Sequence, residues 1–140
     1  MGATVLGTVT FLEGNHFRGM NSRGQVVDMD SRPGGEPTAG FAPMELLLQS
    51  AGGCTGMDIV FILRKRRLEP EKFEVKLEGI RHDDYPRAYE SLKLTYRAKG
   101  EGITVEELQK AAELSVTKYC SVLGTIKAGV QVSYSCELMD

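Results

Sequence analysis

One segment constrains the fold of this chain more than any other. Arranged as a helix, the residues from Met44 to Arg67 are apolar on nearly every face, and Pro43 fits the first helical position. A helix that is apolar all round lies in a protein core or in a bilayer. Polar residues and three glycines interrupt the segment, whereas a bilayer span takes about 20 consecutive apolar residues. We therefore predict a long, buried central helix and no membrane association.

The rest of the chain alternates strand pairs with shorter helices. β-branched and alternating segments predict the strands, and Thr104 followed by Glu107 is a capping box that predicts a helix start. The predicted strands cover residues 4–12, 16–20, 25–29, 72–80, 90–98 and 130–136, and the predicted helices cover 44–67, 104–118 and 120–127. This order, βββ-α-ββ-αα-β, predicts an α+β fold with a mainly antiparallel sheet.

The size of the chain predicts one domain that is completed by a partner. A length of 140 residues is typical of a single domain, here residues 1–140. One small sheet leaves part of a long apolar helix uncovered. We therefore expect a second copy of the chain to cover the other side of the helix, giving a homodimer.

Charge and cysteine content narrow the function classes. The formal net charge is −2, so no basic field is available to hold nucleic acid. The N-terminal residues lack the basic and apolar regions of a signal peptide. Three cysteines, an odd number, argue against a secreted disulfide framework. We therefore expect a cytoplasmic protein whose thiols are kept reduced.

The three cysteines are the candidates for chemistry. Cys54 lies in the long helix directly after Gly52 and Gly53, Cys120 lies at a helix junction, and Cys136 lies on the last strand. A free cysteine is most often a small buried apolar residue without a reaction, and that explanation fits Cys136 best. The chain has no CxxC pair and only two histidines, so the usual ligand spacing of zinc sites is absent, and we expect no metal or cofactor.

Two motifs together resemble a known family. The first is the helix with Pro43-Met44-Glu45-Leu46-Leu47-Leu48, then Gly52-Gly53-Cys54, then Asp58. The second is Lys118-Tyr119-Cys120-Ser121-Val122. With the order of elements, these residues resemble the OsmC/Ohr family of osmotically inducible and organic-hydroperoxide-resistance proteins, most closely its YhfA-like branch. The resemblance covers essentially the whole chain.

The resemblance implies an activity and a set of site residues. Members of the family are intertwined homodimers that reduce organic and inorganic hydroperoxides with two cysteines. By this resemblance Cys54 is the peroxidatic cysteine, Cys120 resolves its sulfenic acid to a disulfide, and an external dithiol, for example a lipoylated protein, reduces the disulfide. The family also places an arginine and a glutamate at the site. Here Arg18 and Glu45 are the nearest candidates for these two residues.

Two features depart from that pattern, and a third residue, Asp58 of the first motif, bears on the chemistry. Met44 follows Pro43 where the family has its glutamate, and nine helical steps put Glu45 and Cys54 on opposite faces, which favours a role for Glu45 at the helix N-terminus. Arg18 lies a few residues from the family position of the arginine. Asp58, one turn after Cys54, adds a carboxylate that disfavours a neighbouring thiolate unless a cation pairs with it.

Three hypotheses for the function therefore remain open. The first is a thiol-dependent hydroperoxide reductase that acts in oxidative-stress defence. The second is a dithiol site that binds or modifies a reactive electrophile or a sulfur species. The third is a redox-sensing or structural dimer whose cysteines oxidise once without a reductant cycle.

Overall fold

The fold is α+β, as the sequence predicts. The computed structural model describes residues 2–36, 38–126 and 128–140. The strands are β1 Gly7–Glu13, β2 His16–Asn21, β3 Val26–Met29, β4 Lys72–Arg81, β5 Tyr89–Lys99 and β6 Gln131–Leu138. The helices are α1 Pro43–Lys65, α2 Val105–Leu114 and α3 Ser121–Ile126. The predicted order βββ-α-ββ-αα-β is confirmed. The chain groups into two compact units, divided after Leu47, which are described in turn.

The first unit is an antiparallel sheet in the order β1-β2-β3. Its first strand begins at Gly7, later than the predicted start at residue 4. The turn at residues 21–24 returns the chain from β2 to β3, with the Asn21 amide and the Gln25 carbonyl 3.1 Å apart. Pairing of β2 with β3 sets Arg18 directly opposite Asp28. The unit ends in the first residues of helix α1, which continues into the second unit.

The second unit is built on a sheet in the order β4-β5-β6. Strands β4 and β5 are antiparallel, whereas β6 runs parallel to β5. The two helices between β5 and β6 carry the chain back to the end of the sheet at which β5 begins, which is the connection that a parallel pair needs. Three of the four described pairings are antiparallel, so the prediction of a mainly antiparallel sheet is confirmed.

Within one chain helix α1 is buried along one face, and the faces that stay exposed are those that the sequence analysis expects a second copy to cover. Ile59 and Leu63 are fully buried in a core with Leu94 and Tyr96 of β5. On another face of the helix, Met57 is 75% and Phe61 is 62% exposed. By length and composition alone this helix is long and apolar enough to cross a membrane. The physical reason for the one-sided burial is that a single sheet contacts a single side of a helix.

Helix α2 begins as the capping box predicts but ends early. The Thr104 hydroxyl accepts a hydrogen bond from the Glu107 amide at 3.1 Å. The predicted helix over 104–118 is replaced after Leu114 by a π-helical turn, Ser115–Tyr119. Cys120 then has extended backbone before α3 begins. The predicted short helix over 120–127 is thus present as α3, and its last predicted residue lies outside the described residues.

Candidate functional site

The fold brings Cys54 and Cys120 together with Asp58. The two sulfur atoms and a carboxylate oxygen of Asp58 all lie within 4.8 Å of one another. Cys54 and Asp58 are four residues apart on α1, so they share one face of the helix. Cys120 reaches them because the π-helical turn ends there and the chain changes direction before α3. We call these three residues the dithiol cluster.

The two thiols of the cluster have different surroundings. Cys120 is buried, with 6% of its surface exposed, whereas Cys54 is only half-buried. Burial raises the pKa of the Cys120 thiol to about 11. The Leu123 amide opposes that shift in part, because it donates a hydrogen bond to the Cys120 sulfur at 3.4 Å. Both thiols are free.

A buried serine holds the carboxylate of the cluster. The Ser115 hydroxyl donates a hydrogen bond to Asp58 Oδ2 at 2.8 Å, and Ser115 is fully buried. This hydroxyl donor was not identified from the sequence, where a cation was the partner considered for Asp58. No local signal could have found Ser115, because it contacts Asp58 only through the packing of the π-helical turn against α1.

A cavity adjoins the cluster on the side of Asp58. Its volume is about 490 Å³. Besides Asp58 it is lined by the apolar or aromatic side chains of Phe61, Ile62, Leu114 and Tyr119 and by two cations, Lys65 and Arg66. The cavity gives a small molecule room beside Asp58. Its cationic rim offers a place for a negatively charged group.

The two glycines before Cys54 serve different purposes. A Cβ atom on Gly52 would lie 3.1 Å from the methyl groups of Leu77, so the missing side chain permits close packing of α1 on β4. A Cβ atom on Gly53 would meet nothing within 4 Å. Gly53 therefore leaves the helix surface next to Cys54 open.

Arg18 and Glu45 lie in the first unit, with partners of their own. The Arg18 Nε atom donates to Asp28 Oδ1 at 2.8 Å, and this arginine holds the pKa of the Asp28 carboxyl below its usual range. Glu45 accepts a hydrogen bond from the Ala42 amide at 2.8 Å, so it stabilises the N-terminus of α1 as its position predicts. A catalytic role for either residue stays a prediction.

Cys136 is not a member of the dithiol cluster. It is paired in register with Tyr96 across β6 and β5 and packs against the core of the second unit. Burial raises its pKa to about 11. These surroundings suit the unreactive role that the sequence favours for it.

The sequence and fold match a known family. The family model described as OsmC-like protein matches residues 34–135. The chain belongs to the OsmC-like family. Protein YhfA of Escherichia coli strain K12 is 33% identical over 131 residues, which cover 94% of this chain and 96% of YhfA.

Two solved structures share the fold of this OsmC-like chain. An OsmC-like protein from Mycoplasma pneumoniae has a TM-score of 0.84 at 14% identity, and the match covers 100% of both chains. An organic hydroperoxide resistance protein from Elizabethkingia anophelis has a TM-score of 0.69 at 15% identity, covering 98% of this chain and 99% of that one. At these identities the likeness establishes the fold.

Proposed function

We propose that this protein is a thiol-dependent peroxidase that reduces organic and inorganic hydroperoxides with Cys54 and Cys120. The observation that carries the proposal is the pair of free sulfurs within 4.8 Å in a chain of this family. The similar fold of an organic hydroperoxide resistance protein supports the same chemistry. The cycle would serve oxidative-stress defence in the cytoplasm.

The unequal burial of the two thiols supports Cys54 as the peroxidatic cysteine and Cys120 as the resolving cysteine. Cys54 is the more exposed of the two residues, and in the proposed cycle its thiolate attacks the terminal oxygen of the hydroperoxide. The O–O bond breaks, the substrate leaves as an alcohol after taking up a proton, and Cys54 becomes a sulfenic acid. Cys120 then attacks the Cys54 sulfur, water leaves, and a disulfide forms. Two thiols and one hydroperoxide thus give one disulfide, one alcohol and one water.

The cycle closes with an external dithiol. Thiol–disulfide exchange transfers two electrons from the reductant to the Cys54–Cys120 disulfide and restores both thiols. A dihydrolipoyl group on a partner protein is the reductant that the family resemblance favours. Comparing a free dihydrolipoyl compound with a monothiol such as glutathione tests this step, because we expect efficient regeneration by the dithiol only.

Mass spectrometry tests the oxidative half of the cycle. The fully reduced protein is treated with one equivalent of an organic hydroperoxide in the presence of a metal chelator. We expect rapid, stoichiometric formation of a Cys54–Cys120 disulfide. Cys54→Ser should abolish it, Cys120→Ser should stop at a sulfenic acid, and the matched control Cys136→Ser should behave like the unaltered protein. Slow oxidation spread over all three cysteines would contradict the proposal.

A second candidate function is a dithiol site for a reactive electrophile or sulfur species. The observation that favours it is Asp58, a carboxylate beside both sulfurs, because a negative charge disfavours the thiolate that attacks a peroxide. The cavity lined by Asp58, Lys65 and Arg66 would hold such a molecule. Rapid modification of Cys54 by an electrophile, together with slow reaction with hydroperoxides, would favour this candidate over the peroxidase.

A further inference from the structure

We propose that the reduced dithiol cluster is a zinc-binding site, with Cys54, Asp58 and Cys120 as its three protein ligands. The proposal goes beyond peroxidase activity and does not depend on it. It rests on the donor atoms of the three residues, which lie within 4.8 Å of one another. The sequence alone gives no sign of such a site, because its ligands come from two separate elements rather than from a short motif.

The donor atoms of the cluster favour Zn²⁺ over Mg²⁺ and Ca²⁺. Two thiolates and one carboxylate form a set that binds Zn²⁺ well, whereas Mg²⁺ and Ca²⁺ prefer oxygen ligands only. Three protein ligands leave a fourth position of a tetrahedral zinc ion open to water or to another small ligand. The half-buried surfaces of Cys54 and Asp58 give that position access to solvent.

The backbone already holds the ligands close to the required geometry. Zinc bonds of about 2.3 Å to sulfur and about 2.0–2.2 Å to oxygen need donor atoms about 3.5–4 Å apart. The present separations, up to 4.8 Å, need inward movements of less than about 1 Å. Cys54 and Asp58 are spaced i, i+4 on α1, the spacing by which one helix face supplies two ligands to a metal.

The surrounding hydrogen bonds suit a metal site. Ser115 donates to Asp58 Oδ2 at 2.8 Å and so fixes the carboxylate while leaving its other oxygen free of this bond. The Leu123 amide donates to the Cys120 sulfur, which stabilises a thiolate at that position. Groups that orient the ligands in this way are a regular part of zinc sites.

Zinc binding and disulfide formation exclude one another. Binding of Zn²⁺ releases the two thiol protons, and each sulfur then bonds to the metal. If a hydroperoxide oxidises the zinc-bound pair, the two sulfurs lose two electrons and form a disulfide. The hydroperoxide and two protons give an alcohol and water, and Zn²⁺ leaves. The cluster would therefore hold zinc only in its reduced form.

The test uses the whole reduced protein without oxygen. Zn²⁺ is titrated in competition with a coloured chelator, native mass spectrometry counts bound metal, and Co²⁺ serves as a spectroscopic probe of thiolate ligands. We expect one metal ion per chain and a thiolate-to-cobalt absorption band. Ser115→Ala should weaken binding by about 10–100-fold, and Cys54→Ser and Cys120→Ser should weaken it further. Cys136→Ser, the matched control, should bind as the unaltered protein does.

An experiment without substitutions guards against variants that fail to fold. Bound Zn²⁺ should protect Cys54 and Cys120, but not Cys136, from alkylation in the unaltered protein. No protection, no thiolate band, or equal affinity in a Cys54→Ser/Cys120→Ser variant would overturn the zinc site. The peroxidase is judged separately, by disulfide formation in the presence of a chelator, so either proposal can fail while the other stands.

Discussion

At the scale of single residues, burial of Cys120 makes the second step of the proposed cycle sensitive to pH. Burial raises the pKa of the Cys120 thiol to about 11, so the thiol is protonated at neutral pH. Below pH 11, each increase of one pH unit raises the thiolate fraction about tenfold. We expect the conversion of the Cys54 sulfenic acid to the disulfide to speed up about tenfold from pH 7 to pH 8. Trapping the sulfenic acid with a dimedone probe measures its lifetime.

The control for that measurement is Cys136→Ser, which should show the same pH dependence, because Cys136 takes no part in the cycle. A conversion rate that is flat between pH 7 and pH 9 would contradict the expectation. It would mean that the Leu123 amide keeps Cys120 reactive despite its burial.

The predicted catalytic role of Arg18 can be tested by removing its side chain. Loss of a group that stabilises the transition state lowers rates by about 10²–10³-fold, whereas we expect Arg18→Ala to change Cys54 oxidation less than about threefold. The reason is that Asp28 already binds the guanidinium through Nε and a terminal nitrogen. Arg23→Ala, on the same hairpin, is the matched control for a lost positive charge. A hundredfold loss with Arg18→Ala alone would support the assignment made from the sequence.

At the scale of elements, we expect alanine to have different effects on stability at the two adjacent glycines of α1, Gly52 and Gly53. In a helix interior, alanine is more stabilising than glycine by about 0.5–1 kcal/mol. Gly53→Ala should therefore raise the free energy of unfolding by that amount, since its Cβ meets nothing within 4 Å. Gly52→Ala should gain nothing or lose stability, because its Cβ would press on Leu77 at 3.1 Å. Urea unfolding of the two variants side by side measures the difference.

Each glycine variant serves as the control for the other, because both make the same chemical change in the same helix. If Gly53→Ala destabilised the protein as much as Gly52→Ala, something outside the described contacts would have to cover Gly53. A second copy of the chain is the covering group that the sequence predicts.

Elements with local signals could be predicted from the sequence, and elements set by packing could not. The Thr104–Glu107 capping box is formed as expected, since it is specified within a few residues. The π-helical turn at Ser115–Tyr119 has no such signal. It exists where the chain places Ser115 against Asp58 and Cys120 beside Cys54. The family resemblance therefore identified the two cysteines of the candidate site from the sequence. Ser115 could not be identified in this way.

At the scale of the whole molecule, α1 presents an apolar surface that the described chain does not cover. Met57 and Phe61 are one turn apart and largely exposed, next to the open surface at Gly53. Exposing such side chains to water is unfavourable, at roughly 25 cal/mol for each Å² of apolar surface. The sequence alone indicates that this helix has more apolar surface than one small sheet covers. It predicts that a second copy of the chain covers the rest in a homodimer.

The dimer prediction is tested by a charge placed on that surface. We expect the unaltered protein to sediment as a dimer and Phe61→Asp to sediment as a monomer, because a carboxylate buried without a partner costs several kcal/mol. Tyr85→Asp is the matched control, since Tyr85 is 88% exposed and lies on the connection between β4 and β5. It should leave the dimer intact. A monomeric unaltered protein, or a Phe61→Asp variant that remains dimeric, would show that α1 is not the surface through which two copies associate.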